Sequence, residues 1–347
     1  MIAAAGTGGH IYPGMAIADF FQAKGFSISW LGTPLGMENI LLNKKKIQFF
    51  PLSISGIRGR GLVGWIYAPF RVIIALYQAL KAIKYSNPVI IILMGGYVCM
   101  PAALAAKLLN ITFIIHEQNA IPGLTNKILS KIANKAFCAF PNSLNKATVI
   151  GNPIRNKIYN ISKPNVRFLN RKGPLRILVI GGSLGARIFN DVFPELFNLL
   201  NKRKKISIIH QSGINHFDEL LKSYEKVNFP VKVEKFIHDI QDQYEWADIV
   251  VARAGALTVS EFAQAGIASI LIPYSFAVDN HQYFNARILE EKKGAIIIEQ
   301  SKLKDEIIHI LIKINRALCL SMALKAKNKL KHKPCSVIFE YCQQITK

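Results

Sequence analysis

Three short glycine-bearing stretches hold the residue types best suited to phosphate and sugar chemistry. The first is Gly6-Thr7-Gly8-Gly9-His10, followed by Pro13 near the start of a helical stretch. Glycines there let the backbone approach a ligand closely, and the free N–H groups and dipole of a helix start attract an anion. The turn is out of register with G-x-G-x-x-G, and no acid stands about 20 residues on to hold a ribose, so a dinucleotide is poorly served. A plain strand–helix junction without a ligand is the competing reading. The second stretch, Gly181-Gly182-Ser183-Leu184-Gly185-Ala186-Arg187, reads as another phosphate cradle. It also contains G-x-S-x-G, and Ser183, Asp248 and His281 fall in the chain order of an α/β-hydrolase triad. That alternative leaves the first glycine turn without a purpose.

The third stretch is Arg253-Ala254-Gly255-Ala256-Leu257-Thr258-Val259-Ser260-Glu261. Gly255 allows close approach, and Thr258 with the opening amides suits a diphosphate at a helix N-terminus. Glu261 can accept two ribose hydroxyls; a first-turn carboxylate facing the helix dipole is the alternative. Candidate general bases in the first half are few: His10, His116, Glu117, Asp19 and Glu38. His10 and Glu117 fall at loop edges, whereas Asp19 lies mid-helix and Glu38 in a polar stretch, which reads as solvated for both. No Asp-x-Asp pair is present to hold a divalent metal on a diphosphate. Leaving-group stabilisation therefore falls to helix ends, hydroxyls and arginine.

The elements that position these residues are short apolar runs at 89–94, 111–116, 175–180, 207–210, 231–236, 249–252 and 269–272. They are continuous rather than alternating, as strands are when helices cover both sheet faces. Helical stretches intervene at 14–24, 101–109, 124–133 and 259–265, which is βαβ punctuation and predicts an α/β chain with parallel sheets. The pattern starts twice, at 6–9 and 181–185, on either side of a polar, Pro- and Asn-containing stretch near 155–173 that reads as a linker. Two Rossmann-like units follow from this, with a ligand cleft as the expected site.

Composition narrows the function classes. The 347 residues are 51% hydrophobic and 19% charged, which excludes general disorder. Five cysteines without CxxC or Cys/His ligand spacing argue against a disulfide framework or a zinc site. The net charge is +23, and residues 1–155 carry fifteen Lys/Arg against only Asp19, Glu38 and Glu117. Such a surface attracts anionic partners, or it reflects compositional bias. No zinc finger, RNP signature or basic-aromatic stripe points to nucleic acid. The opening residues show no basic leader, and no run of about 20 apolar residues is present to span a bilayer. Residues 62–84 instead combine Arg71, Gln78 and Lys81 on one side of a helical wheel with Phe70, Ile73, Ile74, Leu76, Tyr77 and Leu80 over much of the rest. This fits a helix lying in an anionic membrane interface or an ordinary core helix.

Taken in order, the motifs resemble the MurG family of peptidoglycan glycosyltransferases. They are Gly6-Thr-Gly-Gly-His10, Ser55-Gly56-Ile-Arg58-Gly, Met94-Gly-Gly-Tyr97, His116-Glu-Gln-Asn119, Gly151-Asn-Pro-Ile-Arg155, Gly181-Gly-Ser-Leu-Gly-Ala-Arg187, His210-Gln-Ser-Gly213, Ala256-Leu-Thr-Val-Ser-Glu261 and Gln282-Tyr-Phe-Asn-Ala286. The resemblance implies a GT-B fold: two Rossmann-like parallel-sheet domains facing across a cleft. The first, residues 1–155, is expected to bind the acceptor and face the membrane, joined by a C-terminal helix from about 320 to 347. The second, residues 156–319, is expected to bind the nucleotide sugar. The implied reaction is an inverting, metal-independent transfer of N-acetylglucosamine from UDP-N-acetylglucosamine to undecaprenyl-linked lipid I, giving lipid II, with no cofactor. By motif, Thr7, Gly8, Gly9, Asn119, Arg155, Ser183, Ile237, Ala256, Leu257, Thr258, Val259, Ser260, Glu261 and Gln282 would contact the donor. Of these, Glu261 is expected at the ribose, Gln282 at the sugar hydroxyls and the Ile237 backbone at the uracil. The first glycine turn and residues 95–97 would take the acceptor diphosphate. His10 is the favoured general base and Glu117 its rival. A peripheral place on the cytoplasmic face of the inner membrane, in the company of cell-wall and division proteins, is implied as well.

Overall fold

The computed structural model describes residues 1–43, 45, 47–55, 68–182, 185–327 and 333–345. The chain divides into two compact units, residues 1–155 with 330–347, and residues 156–329.

In the first unit, seven parallel strands run in the order β3-β2-β1-β4-β5-β6-β7. They are β1 (Ile2–Ala3), β2 (Ser29–Gly32), β3 (Gln48–Pro51), β4 (Ile91–Leu93), β5 (Phe113–Glu117), β6 (Lys135–Cys138) and β7 (Thr148–Val149). One face is covered by α1 (Gly8–Gln22), α2 (Met37–Leu42) and a late helix (Pro334–Ile345), whose Cys335, Ile338 and Cys342 join Ile11, Ile17 and Trp30 in a core. The other face carries α3 (Ala68–Ser86), α4 (Cys99–Leu108) and α5 (Leu124–Leu129). Here α3 buries small side chains, Ala75, Ala79 and Ala82, along with Ile83, and α4 presents Ala102, Ala103, Ala105 and Ala106. Small residues let helices pack closely; Leu76 and Leu80 of α3 also pack against this core, whereas Phe70, Ile73, Ile74 and Tyr77 are left on its outer side.

The second unit repeats the plan with six parallel strands in the order β10-β9-β8-β11-β12-β13. These are β8 (Leu175–Ile180), β9 (Ile206–Gln211), β10 (Val231–Glu234), β11 (Ile249–Ala252), β12 (Ser269–Leu271) and β13 (Ala295–Ile297). Helices α6 (Asn156–Tyr159), α7 (Pro164–Phe168), α8 (Arg187–Asn201), α9 (Phe217–Ser223), α10 (Ile240–Trp246), α11 (Ala256–Ala265), α12 (His281–Glu290), α13 (Leu303–Lys313) and α14 (Arg316–Ala326) complete it; the late helix of the first unit is α15. Strand order reverses between β1 and β4 in one unit and between β8 and β11 in the other. In such sheets that switch point is where the strand-end loops diverge and leave room for a ligand.

Several expectations need correction. The stretch 155–173 is not a linker: Arg167 is buried and donates to the Ser162, Ala265 and Gly266 carbonyls, and Arg171 pairs with Asp248 at 2.8 Å. Helix α14 also belongs to the second unit, with Cys319, Met322 and Ala323 in its core, so of the last two helices α15 alone packs on the first sheet. Glu38 is buried rather than solvated, because its Oε1 accepts from Thr33 N at 2.7 Å and Thr33 Oγ1 at 2.8 Å. The side-chain-free Gly36 makes room for it, since a Cβ there would lie 2.3 Å from either carboxylate oxygen. Asp19 is half-exposed and paired with Lys45.

Candidate functional site

In the first unit the loops after β1, β4 and β5 converge. Thr7 takes extended geometry as the N-cap of α1, and its side chain makes no cap bond. The first N–H groups of the helix, on Gly8 and Gly9, therefore lie ahead of any intrahelical carbonyl. Gly6 and Thr7 are exposed, and Gly8, Gly9 and His10 partly so. The β4 loop closes on this turn through two glycines at φ +107° and +84°. A Cβ on Gly95 would lie 2.8 Å from His10 Cδ2, and one on Gly96 would lie 2.5 Å from the Ala5 carbonyl. The His10 ring thus rests against the Gly95 backbone.

Glu117 ends β5 with its carboxylate engaged on both oxygens. Oε1 accepts from Asn119 N (2.9 Å) and Asn119 Nδ2 (3.3 Å), and Oε2 from Asn126 Nδ2 (2.9 Å) and Gly123 N (3.2 Å). This network shapes the 117–126 loop. His116 is fully buried, its Nε2 2.9 Å from the Gly151 carbonyl. Burial lowers its pKa to about 4, so at neutral pH it is uncharged and holds the β5 end to the 151–152 segment. Asn152 Nδ2 completes that tie by donating to the Gln118 carbonyl at 3.0 Å. Arg155 closes the segment as an exposed residue. The structure therefore brings Thr7, Gly8, Gly9 and His10 into one neighbourhood with 95–97, and it places Asn119 on the Glu117 carboxylate.

In the second unit the turn after β8 needs its glycines. Gly182 and Gly185 have φ of +88° and +77°; a Cβ on Gly185 would lie 2.2 Å from the Ser212 carbonyl, whereas Gly182 faces open space. Ser183 lies outside the described residues, as do residues 56–59 and 62–67. Gln211, at the end of β9, donates to the Gly182 carbonyl (2.8 Å) and accepts from Ile237 N (3.0 Å). The Ile237 N–H is thus engaged within the protein.

After β11, the neighbour of β8, Gly255 caps α11 in extended geometry with no side-chain cap bond. Ala256, Leu257 and Thr258 thus present the helix's opening N–H groups. Val259 is buried and Ser260 partly so. Glu261 is the sixth residue of α11, which removes the first-turn dipole reading. It is 4% exposed, and its Oε2 accepts from Tyr244 OH at 3.0 Å. Gln282 opens α12, where its Oε1 accepts from Tyr274 N at 3.0 Å and steadies the 274–280 loop.

Arg253 opens the third glycine-bearing stretch, and only the fold shows what it touches. Its guanidinium stacks between the rings of Phe189 (4.8 Å) and Tyr274 (5.3 Å) and donates to the Ile272 and Pro273 carbonyls. Burial lowers its pKa to about 10, so it remains a cation at neutral pH. An arginine directly after a buried strand was the available signal. The hydrolase triad does not assemble. Asp248 precedes β11, at the end of the sheet opposite the glycine turns, fully buried between Arg171 and Arg316. Among the described residues no group of three or more His, Cys, Asp or Glu side chains could hold a metal ion.

Comparison with known proteins follows the same division. Residues 1–138 match the glycosyltransferase family 28 N-terminal domain and residues 176–335 the family's C-terminal domain. The chain is 37% identical over 347 residues to the UDP-N-acetylglucosamine--N-acetylmuramyl-(pentapeptide) pyrophosphoryl-undecaprenol N-acetylglucosamine transferase of Dechloromonas aromatica, spanning 100% of this chain and 99% of that one. Its identity to the enzyme of the same name from Nitrosomonas europaea is 40% over 351 residues, spanning 100% and 98%. The crystal structure of Acinetobacter baumannii MurG matches with a TM-score of 0.86 at 36% identity, covering 99% of each chain.

Proposed function

Because the chain belongs to glycosyltransferase family 28 and, within it, to the MurG-type transferases, we infer that it moves N-acetylglucosamine from UDP-N-acetylglucosamine to undecaprenyl-diphospho-muramyl-pentapeptide, forming lipid II. Its architecture is that of the GT-B glycosyltransferases, two Rossmann-like parallel-sheet units. One observation carries the reading: the second unit's switch point gathers an open glycine turn, a helix start and a stacked arginine at adjacent strand ends, with the buried Glu261 carboxylate on the second turn of that helix.

On this reading the α11 amides, with Thr258, receive the nucleotide diphosphate, and Glu261 accepts from the ribose. Ser183, Ile237, Ser260 and Gln282 complete the donor contacts, with Gln282 at the sugar hydroxyls. Thr7, Gly8, Gly9, Asn119 and Arg155 contribute from the first unit, where the α1 start and the 95–97 loop take the acceptor diphosphate. His10 removes the proton from the acceptor hydroxyl as that oxygen attacks the anomeric carbon in line, and UDP leaves toward preorganised donors. Glu117, whose oxygens are occupied by four N–H donors, shapes the loop instead. The helix end and Arg253 provide the positive charge that the departing diphosphate requires, so the transfer needs no metal.

The membrane role rests on α3. Phe70, Ile73, Ile74 and Tyr77 are exposed next to the exposed Arg71, Lys81 and Lys84, while the alanines face inward. No single helix among the described residues is long and apolar enough to cross a membrane. The protein then docks peripherally on the inner membrane's cytoplasmic face, where its lipid-linked acceptor resides.

Transfer of labelled N-acetylglucosamine to a lipid I analogue, with EDTA present, tests the reading. Labelled lipid II analogue is expected. Binding of UDP-N-acetylglucosamine without transfer would make this a nucleotide-binding protein with no catalysis.

A further inference from the structure

We propose that Cys99 is a positioning residue for His10, acting through the Gly95 turn; this rests on the reading of His10 as the general base. Cys99 opens α4 and is fully buried. Its Sγ accepts from Gly95 N at 3.2 Å and shares its single S–H proton between the carbonyls of Gly95 (3.1 Å) and Ala3 (3.3 Å). One side chain thus ties the end of β1, the residue that leads toward the first glycine turn, to the turn after β4.

Gly95 is the surface on which the His10 ring lies, and its φ of +107° leaves no side chain to fix it in place. The thiol supplies that fixation from behind. Burial pushes it up to about 12, so it stays protonated and serves as donor and acceptor together. A hydroxyl at position 99 can make the same three contacts, whereas a methyl or isopropyl group can make none of them. If the Gly95 peptide turns, the ring loses its backing and the base drifts from the acceptor oxygen. A displacement of about 1 Å is enough to cost a large factor in rate.

The experiment uses full-length protein with 13C-labelled histidine, the His10 resonance being identified by its loss in His10→Asn. In Cys99→Ala, which is smaller, and in Cys99→Val, which is larger and equally unable to hydrogen-bond, the His10 titration midpoint should move by about half a unit or more. The kcat for transfer to a lipid I analogue should fall by about tenfold or more, with the KM for UDP-N-acetylglucosamine unchanged. Cys99→Ser should restore both readouts. An unmoved His10 titration in both apolar variants would overturn the proposal, and so would a loss that serine does not recover. Should His10→Asn itself retain full kcat, the base assignment falls, while the titration readout still decides whether Cys99 holds the ring.

Discussion

Replacing Ile73 and Ile74 by serine probes how this protein meets its lipid-linked substrate. Both residues sit on the outer side of α3, 62% and 51% exposed, flanked by Phe70 and Tyr77 at 63% and 58%. Full burial of such a side chain is worth about 1.5–3 kcal/mol, so the exposed half to two-thirds of each isoleucine contributes about 1–1.5 kcal/mol on entering an interface. Removing both should weaken binding to vesicles by about 2–3 kcal/mol, roughly 30- to 150-fold. The basic residues act separately. Arg71, Lys81 and Lys84 contribute about 1 kcal/mol each near anionic lipid, and that share fades with salt. Sedimentation with neutral and anionic vesicles, at low and high salt, separates the two contributions. The serine variant should lose binding in every condition, and the Arg71/Lys81/Lys84→Gln variant only on anionic vesicles at low salt. The melting temperature should change far less than vesicle binding, because half or more of each side chain already lies in water. Equal sedimentation of the serine variant and the parent would refute the membrane role of α3.

Other consequences are open to measurement. Glu261→Ala should weaken UDP binding by about 1.5–3 kcal/mol through lost charge-assisted hydrogen bonds, and calorimetry showing unchanged affinity would remove Glu261 from the site. His10→Ala should lower turnover without altering donor affinity, whereas Glu117→Ala should lower the melting temperature as the 117–126 loop loses its acceptor; near-normal turnover in the first would return Glu117 to candidacy as the base. His116 and His210 are buried uncharged, with pKa values lowered to about 4 and about 3. The unfolded chain binds those protons first, so stability should fall as the pH drops from about 6.5 toward 3, by a few kcal/mol for each histidine. Urea denaturation of His210→Phe should show a shallower acid loss than the parent, and an unchanged slope would contradict this.

The repeating αβ plan was legible because burial on both sheet faces demands uninterrupted apolar strands, and runs such as 175–180 and 249–252 can do little else. Glycine turns at 6–9 and 181–185 were legible for a similar reason, since Gly6, Gly182 and Gly185 take a backbone that few other residues tolerate. Boundaries moved where tertiary contacts took over. The helix expected at 14–24 begins at Gly8, and the stretch 155–173 is held in the second unit by Arg167 and Arg171.

By itself, then, the sequence determined the apolar strands β4, β5 and β8 to β12 and the paired glycine turns, because each follows from local chemistry that a short window records, whereas β2, β3, β6, β7 and β13 were not legible in it and the transferase reading came from the order of its motifs. Only the tertiary structure decided which groups remain available. It turned the alanines of α3 inward and Phe70, Ile73, Ile74 and Tyr77 outward, occupied the Glu117 carboxylate, buried Glu38 against Thr33, and set Asp248 at the sheet end away from the glycine turns. Each of those outcomes depends on partners distant in space or on the direction of a strand, and no local pattern of residues encodes either.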